Sequence, residues 1–363
     1  MIREVGAKAD SVFPPKDETS YDKTLQILQD ALSNGWAEAG PGSARALIGK
    51  SLNWSKDLPP EKQWEVVKLV EKIAQNLGND LKISTPDETI DVNAHFLTSL
   101  SPFFAGMLEN NWIEAEAYRF QKPVKINSKE LKFLLKTPFE LPEDQDLTTL
   151  LSEACLYGME GKTYPIFERL KSLFDRGDHQ KVLERIEEKL IPPEVKHKIA
   201  HLALAPISQR SIEVDDNTIN RILKLLPDDL ETLNLSGFST KKIADENRYP
   251  ELQRFKKLKT LICKNNPEAY GIAHLPKLFP ELEDLDISDC PKLKRLPEEM
   301  NLRTLTIYGK TKINETYLRR FSGLHPDFGS LVFKTDSQDM VNIFKDFAAA
   351  NNYKTKIDFD FTA

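Results

Sequence analysis

Long apolar runs are missing from this sequence. No stretch reaches the ~20 apolar residues that a membrane-crossing helix requires, so no membrane partner is expected. The opening residues, Met1 to Asp10, have no apolar centre of the kind a secretory signal carries, and a cytoplasmic location is expected. Cysteine is scarce. Cys155, Cys263 and Cys290 are odd in number and far apart, which argues against a disulfide framework and fits a reducing compartment. Positive charge is not in excess either. A net charge of −6 argues against a general nucleic-acid binder.

Complete catalytic or cofactor-binding patterns are also lacking. Gly49-Lys50-Ser51 ends like a phosphate-binding loop, but Ala44 stands where that motif needs its first glycine, and no apolar strand precedes it. His197 and His201 are spaced as in zinc peptidases. Lys198 occupies the place of the required glutamate and no third ligand is evident, so two partly exposed helix histidines are expected. No cysteine is paired with a histidine in the sequence pattern, and all three read as small packing residues. Asp284, Asp286 and Asp289 lie close together, yet acid–base chemistry needs an enclosing cleft to shift carboxylate pKa values. Neither catalysis nor a metal or cofactor is expected.

What the sequence does contain is a recurring line. Leu282-x-x-Leu285-x-Ile287-x-x-Cys290 is its clearest copy. Leu230-x-x-Leu233-x-Leu235 and Leu258-x-x-Leu261-x-Cys263-x-x-Asn266 precede it; Leu302-x-x-Leu305-x-Ile307 and Phe328-x-x-Leu331-x-Phe333 follow. The starts at 230, 258, 282, 302 and 328 are 28, 24, 20 and 26 residues apart. Residues two apart share one face of a strand, so Leu285 and Ile287 point inward and Asp284, Asp286 and Ser288 outward. One such strand cannot bury its apolar side alone; stacked copies can. Asn266 and Cys290 suit the place where the line turns, whereas Phe238 and Lys310 do not. The array resembles leucine-rich repeats.

The outward positions predict three columns: Thr232, Thr260, Asp284, Thr304 and Ser330; Asn234, Ile262, Asp286, Thr306 and Val332; Ser236, Lys264, Ser288, Tyr308 and Lys334. This face is the expected binding surface for a protein target. Ile262 and Tyr308 are its candidate anchors, since aromatic residues are common at interface hot spots.

The 363 residues suggest two or three domains. Residues 1–19 read as a flexible tail and 20–79 as a helical region, with one helix between Pro59-Pro60 and Gly78. Residues 80–83 and 89–92 alternate like a hairpin. After them come Leu97, Ser101, Phe104, Met107 and Glu114-Ala115, then Leu131-x-x-Leu134-Leu135 and Leu150-Leu151-x-x-Ala154. In order and spacing these residues resemble the BTB/POZ interaction domain, over about 80–160 and extended here to 80–175. Two positions depart from that family. Asn93 stands in place of its usual His, and Phe139-Glu140-Leu141 in place of a Tyr-Thr-Gly corner.

Residues 176–208 read as two helices broken at Pro192-Pro193, linking to and capping the repeats of 209–363. Ile212-Glu213-Val214 reads as a degenerate first repeat strand and Lys356–Phe359 as the last. The expected fold class is thus an α/β multidomain chain: a helical N-terminal region, an α+β BTB/POZ-like domain and a leucine-rich-repeat solenoid with parallel strands. The pairing resembles substrate receptors of cullin–RING ubiquitin ligases, and also effectors with which intracellular bacteria imitate them inside the host cytoplasm. The resemblance implies a cullin partner at Leu131, Phe133 and Phe139, a homodimer surface near Ala94–Leu100, and a target on the repeats. A scaffold without a ubiquitin role stays open beside it.

Overall fold

The computed structural model describes residues 18–33, 41–109, 117–118, 122–136, 139, 141, 146–189, 191–209, 212–238, 242–296, 302–311, 313, 330–350 and 354–359. The expected tail up to residue 17, Glu114-Ala115 and Phe328 lie outside these residues. The chain is mixed helix and sheet. It divides into two compact units, Met1–Leu170 with Glu188–Pro192, and Lys171–Glu187 with Pro193–Ala363.

The first unit opens with three helices, α1 (Glu18–Ser33), α2 (Pro41–Ser55) and α3 (Pro60–Leu77). Helix α3 buries Val66, Val67, Val70, Ile73 and Ala74, an apolar stripe at helical spacing. Pro60 fits its first turn, where no amide partner is needed, and Gly78 ends it. Helix α2 lies within the expected helical region and buries Ala44, Leu47, Ile48, Ser51 and Leu52, a narrower stripe with small and polar members. It contains Gly49-Lys50-Ser51, so those amides face a helix interior and not a phosphate.

Strands β1 (Leu81–Ser84) and β2 (Thr89–Val92) form the expected antiparallel hairpin, and β3 (Val124–Lys125) joins β1 in parallel. Helices α4 (Ala94–Leu100), α5 (Pro102–Glu109), α6 (Leu131–Leu135), α7 (Leu147–Leu156) and α8 (Tyr164–Asp175) follow. Asn93 caps α4: its side chain accepts the Phe96 amide at 2.9 Å and donates to Gly78 O at 2.7 Å. Ser101 joins α4 to α5. Its hydroxyl accepts the Phe104 amide at 3.2 Å and donates to Tyr157 O. The Ser-x-x-Phe spacing is therefore a capping device.

The residues of the expected helical region do not stand apart. Helices α2 and α3 both pack on α4, and His95 Nε2 meets Arg45 O at 2.6 Å. In the interior Lys162 Nζ lies 2.7 Å from Glu71 Oε1 and 2.7 Å from Leu134 O. Both charged side chains are almost wholly buried. Burial is the larger influence on Lys162 and pulls its pKa below the usual lysine value, while Glu71 pushes it back up.

The second unit begins with α9 (His179–Glu187), α10 (Pro193–Ser208) and α11 (Asp216–Lys224). The break between α9 and α10 falls at the two prolines, as expected. Ile212–Val214 is not a strand; it leads into Asp215, which caps α11 by accepting the Thr218 amide at 2.7 Å. Ile219 and Ile222 form the buried side of α11, which packs against α9 and α10.

Six parallel strands follow in chain order: β4 (Thr232–Asn234), β5 (Thr260–Ile262), β6 (Asp284–Asp286), β7 (Thr304–Thr306), β8 (Ser330–Thr335) and β9 (Lys354–Phe359). Leu233, Leu261, Leu285 and Leu305 pair across the first four and are fully buried. Each contributes about 1.5–3 kcal/mol on burial. Helix α12 (Gln338–Ala350) connects β8 to β9. One alignment differs from expectation. Phe333, not Leu331, pairs with Leu305, so β8 is shifted by two residues. A shift of two keeps every side chain on its face, which is why the alternation could not reveal it.

Candidate recognition surface

The shift rewrites the predicted columns. Val332, at which only the backbone is described, continues the row Thr232, Thr260, Asp284 and Thr304. Lys334 continues Asn234, Ile262, Asp286 and Thr306. Ser330 falls outside both rows. Thr232 and Asn234 are exposed; Thr260, Ile262, Asp284, Asp286, Thr304, Thr306 and Lys334 are half-buried by their neighbours. The sheet thus brings these predicted residues onto one side. Lys264 and Tyr308, also half-buried, sit one step beyond their strands.

Ser236 and Ser288 are corrections. Both were expected outward and both are buried. Their hydroxyls accept the Lys264 amide at 3.2 Å and the Tyr308 amide at 3.0 Å, so each serves the backbone of the next line. Asn234 and Asp286 support them from within the line, accepting the amides of Ser236 at 3.0 Å and Ser288 at 3.1 Å. These are Asx turns that end each strand.

The next residue in each line has a positive φ: Gly237 76°, Asn265 57°, Asp289 55° and Gly309 64°. Glycine, asparagine and aspartate are the residues that tolerate this region. The twist keeps the lateral ladder going. Gly237, Asn265 and Asp289 donate to Lys264 O, Ser288 O and Tyr308 O at 2.8, 3.0 and 3.0 Å. At Gly309 the acceptor is the Asp336 carboxylate, at 3.0 Å. A side chain at 309 would also meet Asp289.

The turn residues then close each line. Cys290 Sγ donates to Cys263 O at 3.2 Å, and Thr311 Oγ1 donates to Ile287 O at 2.7 Å. Cys263 and Ile287 are equivalent, so Thr311 does for its line what Cys290 does for the one before. Lys310 is exposed; the fourth line carries one extra residue and turns at Thr311. Phe238 takes the same place in the first line by packing edge-on against Tyr249, with ring centres 5.8 Å apart.

Charge on this face is internally compensated. Arg303 holds Asp284 at 2.6 Å, Lys264 holds Asp286 at 3.1 Å and Lys259 holds Glu231 at 2.6 Å. The Asp284 contact lifts Arg303 above its ordinary pKa, as Glu231 lifts Lys259. Asp284 and Asp286 are each held in an ion pair. The same side carries Thr232, Thr260, Thr304 and Thr306, with Ile262 and Tyr308 set among them.

The implied cullin-side residues are placed differently. Leu131 is fully buried, and Phe139 is buried edge-on against Trp64 at 5.6 Å. Only Phe133 is half-exposed, between Lys132 and Lys136. Helix α3 supplies Trp64, so the chain's own N-terminal helices occupy that side of Phe139. Ala94, Phe96, Leu97 and Leu100, near the implied dimer surface, are buried too. Sequence spacing marked these positions as apolar but held no sign of what covers them.

Chemistry elsewhere is sparse among the described residues. A cavity beside Lys162 and Glu71, lined also by Phe96, Leu97, Leu134 and Met159, has about 10 Å³ of room for water centres, enough for about one water. The Cys263 thiol is pushed well above its usual pKa by burial first, then by Cys290 and Asp286, and stays protonated. Cys155 is only half-buried. No group of three or more metal-ligating side chains occurs among the described residues. No described helix is long and apolar enough to cross a membrane. No family model matches the chain, and no curated protein or solved structure matches it either.

Proposed function

We propose that the chain is a protein–protein interaction adaptor, non-enzymatic, with a leucine-rich-repeat domain that holds a protein target on the outward side of β4–β8 and a BTB/POZ-like domain that connects it to a second protein. The observation that carries the reading is the in-register line. Four successive strands bury the same three inward positions while threonine, asparagine and aspartate recur outward. A stacked array of this kind offers an extended surface without a cleft, which suits macromolecules better than small substrates. Ile262, apolar among polar neighbours, and the aromatic Tyr308 are its anchors. Affinity purification with the full chain tests this. Ile262→Asp with Tyr308→Ala, in a protein still folded by circular dichroism, should lose the retained target. Retention of the same target by that variant sinks the reading.

The more specific proposal is a substrate receptor of a cullin–RING ubiquitin ligase, in a host cell if the chain is a bacterial effector. One observation favours the plainer scaffold: two of three implied docking residues, Leu131 and Phe139, are interior. A pull-down against cullins separates the two. Binding that is lost in Phe133→Ala supports the receptor; no binding to any cullin supports the scaffold.

A further inference from the structure

We infer that His197 and His201 form a two-histidine chelating site for a divalent late transition metal on the open side of α10. The pair is not a peptidase motif, since Lys198 replaces the glutamate that such chemistry uses. A chelate needs less. It needs two imidazoles whose nitrogens converge, a rigid spacing, and access from solvent.

The structure supplies each. The residues are one helical turn apart on one face. Their Nε2 atoms already face each other, 2.6 Å apart, with ring centres separated by 4.5 Å and planes inclined at 37°. A metal bonded to both nitrogens at about 2.0–2.1 Å needs them about 2.9–3.3 Å apart, from a right-angled to a tetrahedral site. A small side-chain rotation reaches that span. His201 is exposed and His197 partly so, which gives an ion a path in.

The other described histidines are otherwise engaged. His95 meets Arg45 O, His179 is buried against Ala203 O, and His274 meets Ala244 O. Imidazole ligands suit Zn²⁺, Ni²⁺ and Cu²⁺ rather than Mg²⁺ or Ca²⁺. With no third ligating side chain among the described residues, water would complete the coordination. A metal spanning residues four apart would also brace this turn of α10, and binding to the folded state alone raises stability.

The test is calorimetric titration of the full chain with NiCl₂, paired with a thermal melt. The wild type should bind one ion at this site and melt higher with the metal. His197→Asn and His201→Asn should each weaken binding at least about tenfold, since even losing a residue behind a ligand costs that much. Lys198→Ala should change nothing. Circular dichroism checks that both histidine variants keep their helix content; each is an independent trial. No binding by the wild type, or equal affinity in both variants, overturns the proposal.

Discussion

The two units solve the problem of a stable interior in opposite ways. The first is held by single contacts between residues far apart in the chain: Glu71 with Lys162, Trp64 with Phe139, Ser101 with Tyr157. Each occurs once. The second is held by contacts that recur between lines, among residues 20–28 apart: paired inward leucines, the Ser236 and Ser288 hydroxyls reaching the next line, and Cys290 and Thr311 reaching the line before. Stability in the first unit should be lost all at once through any of a few residues. In the second it should be lost line by line, because each line touches only its neighbours.

The largest expected effect comes from Lys162→Met. It strands the Glu71 carboxylate in the interior and should cost about 3–5 kcal/mol by urea denaturation. Replacing both partners with apolar residues should restore most of that loss, because an apolar pair of similar volume needs no compensation. A double variant as unstable as the single one would show that the pair does more than balance charge.

Leu285→Ala should cost about 2–5 kcal/mol, as a cavity in the middle line. Hydrogen exchange should then rise in β5, β6 and β7 while β1 and β2 stay protected. Faster exchange throughout the first unit would erase the contrast. Gly309→Ala should cost about 1–3 kcal/mol, since it forces a side chain into a left-handed conformation and against Asp289.

The smallest effect is at Tyr249. Its hydroxyl donates to Asp216 at 3.1 Å, and burial raises its pKa above the ordinary 10.0. A raised phenol pKa stabilises the fold fully below about pH 10 and less as pH rises further, because the unfolded chain ionises first. Tyr249→Phe should lower stability by about 1 kcal/mol at neutral pH and flatten its alkaline decline. Tyr21, raised by burial and by Glu65, predicts a matching decline in the first unit, so both units should weaken together above that pH.

Much of the candidate surface was legible because its signal is local. Inward and outward parity follows from alternation, and Thr232 through Thr306 lie where parity put them. Ser236 and Ser288 escaped because strand parity ends where an Asx turn begins. Helix α2 has its stripe in Ala44, Leu47, Ile48 and Leu52, but that stripe gave no sign that its place comes from packing on α4. The burial of Leu131 and Phe139 escaped for a related reason. An apolar residue in a sequence announces that it will be covered, not by what.

The sequence by itself determined the ends of α3, the β1–β2 hairpin and the break before α10, since caps, prolines and alternation act between residues a few positions apart. It also determined the repeated line and which side of each strand faces inward. Only the tertiary structure decided the pairing of β8, the joining of the N-terminal helices to the hairpin, and the meeting of Glu71 with Lys162. Those depend on which surfaces fit together over long separations. A slip of two residues, or a change of covering partner, leaves the local pattern as it was.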